Sequence, residues 1–179
     1  MPKFIALLRG INIGSHNRIA MPDLKAGLAD LGFTNASTYV QSGNAIFSSP
    51  STDTWALASS IKGMILTRFG HDVPVIVVSA ADLHDITKHS PFFEKDLNKL
   101  HVTFLAGVPT KEHLATLPHD AGRGDQWQTK DAVVYLYCPI NYGETTLTNA
   151  FFEKKLGLTA TTRNWKTVTT LAELTSNRE

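Results

Sequence analysis

The order in which hydrophobic periodicities follow one another constrains this chain more than any single motif. Lys3–Leu8 is a short, mostly apolar run carrying Phe4, Ile5, Leu7 and Leu8, which predicts a central strand. Pro22–Leu31 predicts a helix: Pro22 suits a first turn, Leu24, Leu28 and Leu31 share one face, and Gly32 can close it. Ser37–Gln41 and Asn44–Ser48 read as short strands joined tightly through Ser42-Gly43. Asp53–Phe69 predicts a longer helix with an apolar stripe of Trp55, Ala58, Ile61, Ile65 and Phe69, capped by Ser51 or Thr52 and stopped by Gly70. Val75–Val78 is β-branched throughout and reads as a buried strand. The succession is βαββαβ, the split-βαβ or ferredoxin-like unit.

The second half repeats that order without repeating its residues. His101–Leu105 predicts a strand and Lys111–Leu117 a helix, followed by a strand pair, Gln126–Gln128 and Val133–Tyr137. Leu147–Leu156 predicts a helix closed by Gly157, and Ala160–Arg163 a last strand. Helices over Ala81–Thr87 and Lys166–Leu174 follow the final strand of each half. The expected fold is α+β, with two tandem ferredoxin-like subdomains, each an antiparallel sheet with helices on one face. The expected division is residues 1–90 and 91–179, the latter carrying the C-terminal helix. The segment from His89 to Asn98 joins them, and Phe92 and Phe93 suggest that it packs rather than swings freely.

Composition removes several function classes. A chain of 179 residues with 42% hydrophobic and 18% charged residues can bury a core without disulfide or metal staples. A net charge of +1 argues against broad, sequence-independent binding of polyanions. Cys138 is the only cysteine and lies in an apolar run, so a buried structural thiol is expected and an intrachain disulfide is impossible. No apolar run reaches the ~20 residues of a membrane span, and Phe4–Leu8 is too short for a signal-peptide core. A cytoplasmic protein is expected, with no membrane partner. Nothing in the sequence specifies an oligomeric state.

Three segments are polar where a core-building strand would be apolar. In the first, Arg9-Gly10-Ile11-Asn12-Ile13-Gly14-Ser15-His16-Asn17-Arg18, the chain leaves a strand and enters a helix. Gly10 and Gly14 permit close backbone approach, Arg9 and Arg18 supply charge, and Asn12 and Asn17 supply amides. Such a strand–loop–helix entry can cradle an anion, or it can be an ordered connection whose Gly and Asn residues only make turns. The second is the hairpin of Gln41, Ser42, Gly43 and Asn44, whose residues are also standard turn vocabulary. The third, Thr161–Lys166, carries Arg163 and Asn164, with Asn164 placed to cap the last helix and Trp165 to pack.

These segments resemble the DUF1697 family, small and mostly bacterial proteins of unknown function. The opening Ala6-Leu7-Leu8-Arg9-Gly10-Ile11-Asn12-Ile13-Gly14, with Asn17 and Met21, is similar to the family's first motif. Tyr39, Gln41, Ser42, Gly43, Asn44 and Phe47 match its second motif. Thr161, Arg163, Asn164, Trp165, Thr167, Val168 and Leu171 match its third. The resemblance implies two ferredoxin-like subdomains and directs attention to these segments, but it brings no activity. Ser15 departs from the family, where glycine is common at this place.

Familiar catalytic constellations are absent. The seven histidines are scattered, and there is no Cys cluster, His-Glu-x-x-His, Gly-x-Ser-x-Gly or Walker pattern. No metal or cofactor is expected. Asp82 and Asp85 could form a carboxylate pair but read more simply as a solvated helix face. The aromatic pattern of an RNA-binding sheet is missing, although single-strand binding through the polar loops stays open.

The leading expectation is a pocket of the Arg9–Arg18 loop and the Gln41–Asn44 hairpin that binds a small anionic or nucleotide-like ligand. One alternative is an acylphosphatase-like phosphohydrolase, because Arg9 with Asn44 is similar in residue type to the Arg and Asn of those enzymes. The other is a structural or interaction protein in which the motifs only rigidify the fold.

Overall fold

The computed structural model describes residues 1–40 and 43–176. The chain divides into two compact units, Met1–Asp85 together with the chain from Leu171, and Ile86–Thr170. In the first, β1 (Lys3–Leu8), α1 (Met21–Asp30), β2 (Thr34–Tyr39), β3 (Asn44–Ser48), α2 (Thr54–Phe69) and β4 (Val75–Ser79) follow in order. Their sheet has the order β2-β3-β1-β4 with every neighbour antiparallel. α3 (Ala80–Lys88) follows directly.

The second unit repeats the pattern with β5 (Leu100–Leu105), α4 (Lys111–Leu114), β6 (Gln126–Lys130), β7 (Val133–Tyr137), α5 (Asn149–Leu156) and β8 (Ala160–Asn164). Its order is β6-β7-β5-β8, again antiparallel, and α6 (Trp165–Thr175) leaves its last strand. Both units therefore have the ferredoxin-like topology that the periodicities imply.

In the first unit, Phe4, Ala6 and Leu8 of β1 and Ala45 and Phe47 of β3 face Leu24 and Leu28 of α1 and Leu57, Ile61 and Ile65 of α2. Phe47 stacks between Phe33 at 4.5 Å and Phe4 at 5.8 Å. The alternate residues Ile5, Leu7 and Ile46 are buried too, which is why β1 reads as an unbroken apolar run. In the second unit, Leu105, Val134, Leu136 and Ala160 pack with Phe152 and Leu156 of α5, Leu147 and Cys138.

Several elements differ from the sequence expectation. Trp55 is 70% exposed, and Leu57 takes its place in the buried stripe of α2. The cap of α2 is Asp53, which accepts from the Ala56 N–H at 3.0 Å; Ser51 instead accepts from the Asp53 N–H. α4 stops at Leu114, and the chain continues to the buried Leu117 through turn bonds, because Pro118 disfavours helix in the residue before it. β2 begins at Thr34, with an irregularity before Ser37 where Asn35 takes a left-handed φ of 53°. The end of the expected strand Ser37–Gln41, with Ser42, lies outside the described residues. In the joining segment Phe92 is buried, whereas Phe93 is about half exposed and meets Trp165 edge-on at 6.0 Å.

Candidate functional site

The loop after β1 holds itself together with side-chain amides. Asn12 adopts φ 53° and its side chain bonds both backbone groups of Ile19, donating from Nδ2 to the carbonyl and accepting from the N–H at Oδ1, each at 2.9 Å. This is the bond pair that a neighbouring strand would make, supplied by one side chain. Asn17, at φ 46°, donates from Nδ2 to the Gly10 carbonyl at 3.0 Å, and its own carbonyl accepts from the Asn12 N–H at 3.1 Å. Between them, Ile13–His16 forms a tight turn closed by the His16 N–H on the Ile13 carbonyl. Asn tolerates the left-handed region through its short polar side chain, so these positions suit asparagine as they would suit glycine.

The start of this loop lies against the β2–β3 hairpin. The Leu8 N–H donates to the Gly43 carbonyl at 2.8 Å, and Leu7 pairs with Asn44 across the sheet. Gly43 sits at φ +94°, where an added Cβ would fall 2.9 Å from both Cβ and O of Leu8 and 3.1 Å from the Ile11 side chain. Only glycine fits there. Asn44 is wholly buried and donates from Nδ2 to the Tyr39 carbonyl at 3.0 Å. The other two hairpin candidates, Gln41 and Ser42, lie outside the described residues.

The two arginines of the loop are placed differently. Arg9 is partly buried, and its N–H donates to the Pro74 carbonyl at 3.0 Å. Arg18 is exposed, and its carbonyl contacts Nε2 of His71 at 3.2 Å. Arg18 and Asn12 line an open depression of about 390 Å³ with Ile19, Ala20, Met21 and Pro22. Its floor includes the N-terminus of α1, whose cap position is Ala20 with no side chain capping it. Ile19 and Ala20 were not singled out by motif, and Met21 entered only as a match to the family's first motif. Their signal is the lack of any Ser, Thr, Asp or Asn at the cap ahead of Pro22, so no capping side chain takes the Met21 N–H; Pro22 has no N–H, and the Asp23 N–H donates to the Ala20 carbonyl at 3.1 Å.

Arg163 and Asn164 belong to the second unit and are engaged within it. Nη1 of Arg163 donates to Thr161 Oγ1 at 2.8 Å and to the Thr162 carbonyl at 3.0 Å. Burial holds its guanidinium down to about 10, partly offset by Tyr142. Asn164 caps α6, its Oδ1 accepting from the Thr167 N–H at 2.8 Å. Cys138 is fully buried, and burial first, then the charge of Asp125, pushes its thiol up to about 11, against a hydrogen bond from Thr145. A thiol so raised is a packing group rather than a nucleophile.

Among the described residues, no group of three or more His, Cys, Asp and Glu side chains is placed to hold a metal ion, and no helix is long and apolar enough to cross a membrane.

Two tandem ferredoxin-like units with a self-bonded loop after the first strand define the class of the molecule. The family described as protein of unknown function DUF1697 matches residues 1–135, and the chain belongs to it. That match includes the loop and the hairpin and ends inside β7, before Arg163 and Asn164. The fold is similar to the structure of the conserved bacterial protein SP0830 from Streptococcus pneumoniae, at 18% identity and a TM-score of 0.73, covering 98% of this chain and 99% of that one. No curated protein matches the sequence.

Proposed function

We propose that the protein binds a small anionic or nucleotide-like ligand at the depression between the Arg9–Arg18 loop and the start of α1. The observation that carries this reading is the convergence of the exposed Arg18 with a helix N-terminus that no side chain caps, in one concave wall. In this reading Arg18 contacts the ligand, while Asn12 and Asn17 hold the loop in shape. The hairpin contributes through Gly43, which lets it sit tightly against the base of the loop. Arg9 and Asn44 do not support the acylphosphatase-like alternative, because the Asn44 amide is buried and turned to Tyr39.

The structural reading has its own support, since three of the motif amides bond to nearby backbone. Thermal-shift and calorimetric titrations with inorganic phosphate and adenine nucleotides separate the two. Binding is expected in the wild type, and Arg18→Ala is expected to weaken it by about 1.5–3 kcal/mol, the worth of a charge-assisted contact, with little loss of stability. Saturable binding that Arg18→Ala leaves unchanged, or no binding at all, would leave the loop as scaffold.

A further inference from the structure

The second unit contains a polar inlay that the anion site does not use. Thr103 of β5 and Thr162 of β8 are cross-strand partners whose hydroxyls lie 2.8 Å apart, and Thr162 Oγ1 donates to Asn149 Oδ1 at 2.7 Å. With its one proton committed there, Thr162 accepts from Thr103, and the Tyr142 hydroxyl is also hydrogen-bonded to it. Two residues before Thr103, on the same face, the His101 ring stacks on Tyr142 with centroids 4.5 Å apart and planes at 21°. Nδ1 of His101 is buried and has no hydrogen-bond partner.

Tyr142 sits in residues 139–146, a strap between the end of β7 and the buried Leu147. Lys99 Nζ donates to the Ile140 carbonyl, Arg123 pairs with Glu144, Thr145 Oγ1 donates to Asp125, and Thr146 Oγ1 donates to the Ala121 carbonyl. At its middle Tyr142 is tied twice, by its stack on His101 and by its hydroxyl on Thr162. We propose that His101 and Tyr142 form an acid-sensitive latch, closed while the imidazole is neutral and released when it gains a proton, freeing residues 139–146.

Protonation would place a charge and a new N–H donor in a buried position where Nδ1 now has no hydrogen-bond partner. The ring relieves that cost by turning to water, which breaks the stack. A cation over the Tyr142 face and a ring N–H shared with the Lys99 backbone regain only part of that cost, because burial is the larger effect. The titratable and charged groups around the latch are Tyr142 against the ring, Cys138 and Arg163 near Tyr142, the buried Asp125 held by Thr145, Lys99 on the strap's Ile140 carbonyl, and the Arg123–Glu144 pair. None is a carboxylate placed on His101, whose neighbours on β7 and β8 are Leu136 and Asn164. Burial accordingly holds the imidazole below its usual 6.5, against a smaller opposing effect of the Lys99 backbone. Because the folded group binds its proton less readily than the unfolded one, stability is present above about pH 6.5 and is lost as pH falls below it.

The test is amide hydrogen exchange on the full chain at about pH 7.5 and about pH 5, corrected for chemical exchange, on wild type and His101→Phe, which keeps a stacking ring. Wild type is expected to lose at least about tenfold protection in residues 140–146 at the lower pH while β1 keeps its own, and His101→Phe is expected to show no such change. Equal loss in the variant, or loss spread evenly over both units, would overturn the latch. Should the variant not fold, proton NMR titration of the wild-type His101 ring decides. An imidazole that titrates at or above its ordinary value sinks the proposal, and one that titrates below it together with the Tyr142 ring signals supports it.

Discussion

The two units share one topology and solve its interior differently. On the helix-facing side of the first sheet, the central strand presents Phe4, Ala6 and Leu8, and its neighbours add Ala45, Phe47, Val75 and Val77, an apolar layer throughout. At the matching places the second sheet presents His101, Thr103 and Leu105, with Thr162 beside Thr103. One core is held by area removed from water and by aromatic stacking, the other in part by hydroxyls whose bonding capacity is filled. The connections invert this contrast. The first unit spends residues 9–20 on a self-bonded polar loop before a regular α1, whereas the second goes through residues 106–110 into the single turn of α4. The fold tolerates polarity inside a unit or in its first connection where hydroxyls and amides meet partners, with Nδ1 of His101 as the exception.

Substitutions can break the comparison, beginning with the most damaging. Phe47→Ala removes the ring shared by two stacks and leaves a void under α2, and chemical denaturation should show a loss of about 3–5 kcal/mol. A loss no greater than that of a mild polar change would mean that the first core does not depend on its stacks. Gly43→Ala forces a left-handed backbone and a clash with the Leu8 backbone at once, and should cost about 2–3 kcal/mol in the same measurement. If it were tolerated, the hairpin would not need its close approach to the loop. Thr103→Val is the mildest: it takes one donor from Thr162 and leaves Asn149 and Tyr142 in place, for a loss of about 1 kcal/mol. A gain in stability there would show the second interior to be an apolar core interrupted by chance.

Much of the architecture was legible in the sequence, and the reasons differ by element. β1, β3 and β7 were readable to the residue because runs such as Phe4–Leu8 and Val133–Tyr137 are apolar on both faces and end at polar residues or turns. The stripe of α2 was read correctly at Ala58, Ile61, Ile65 and Phe69, but Trp55 was counted as core on its size. Its place on the helix turns it to solvent, and the smaller Leu57 packs inward. The loop motif is visible in the sequence, but not what its amides do. Whether Asn12 reaches a ligand or Ile19 depends on a left-handed φ that composition cannot show. Thr103 was hidden inside an apolar strand, and its meaning appears only when the register sets it against Thr162.

The bonds that close the Arg9–Arg18 loop join residues seven apart, Asn12 to Ile19 and Asn17 to Gly10. Contacts of such short span need no sheet to form, and a loop of about ten residues closes in roughly 10–100 ns, well before strands distant in the chain can pair. The piece of the molecule that carries its family motif is therefore also one that can take shape early. β1 and α1 would then enter folding as neighbours already turned toward each other, with β3 and Gly43 arriving later to seal the base.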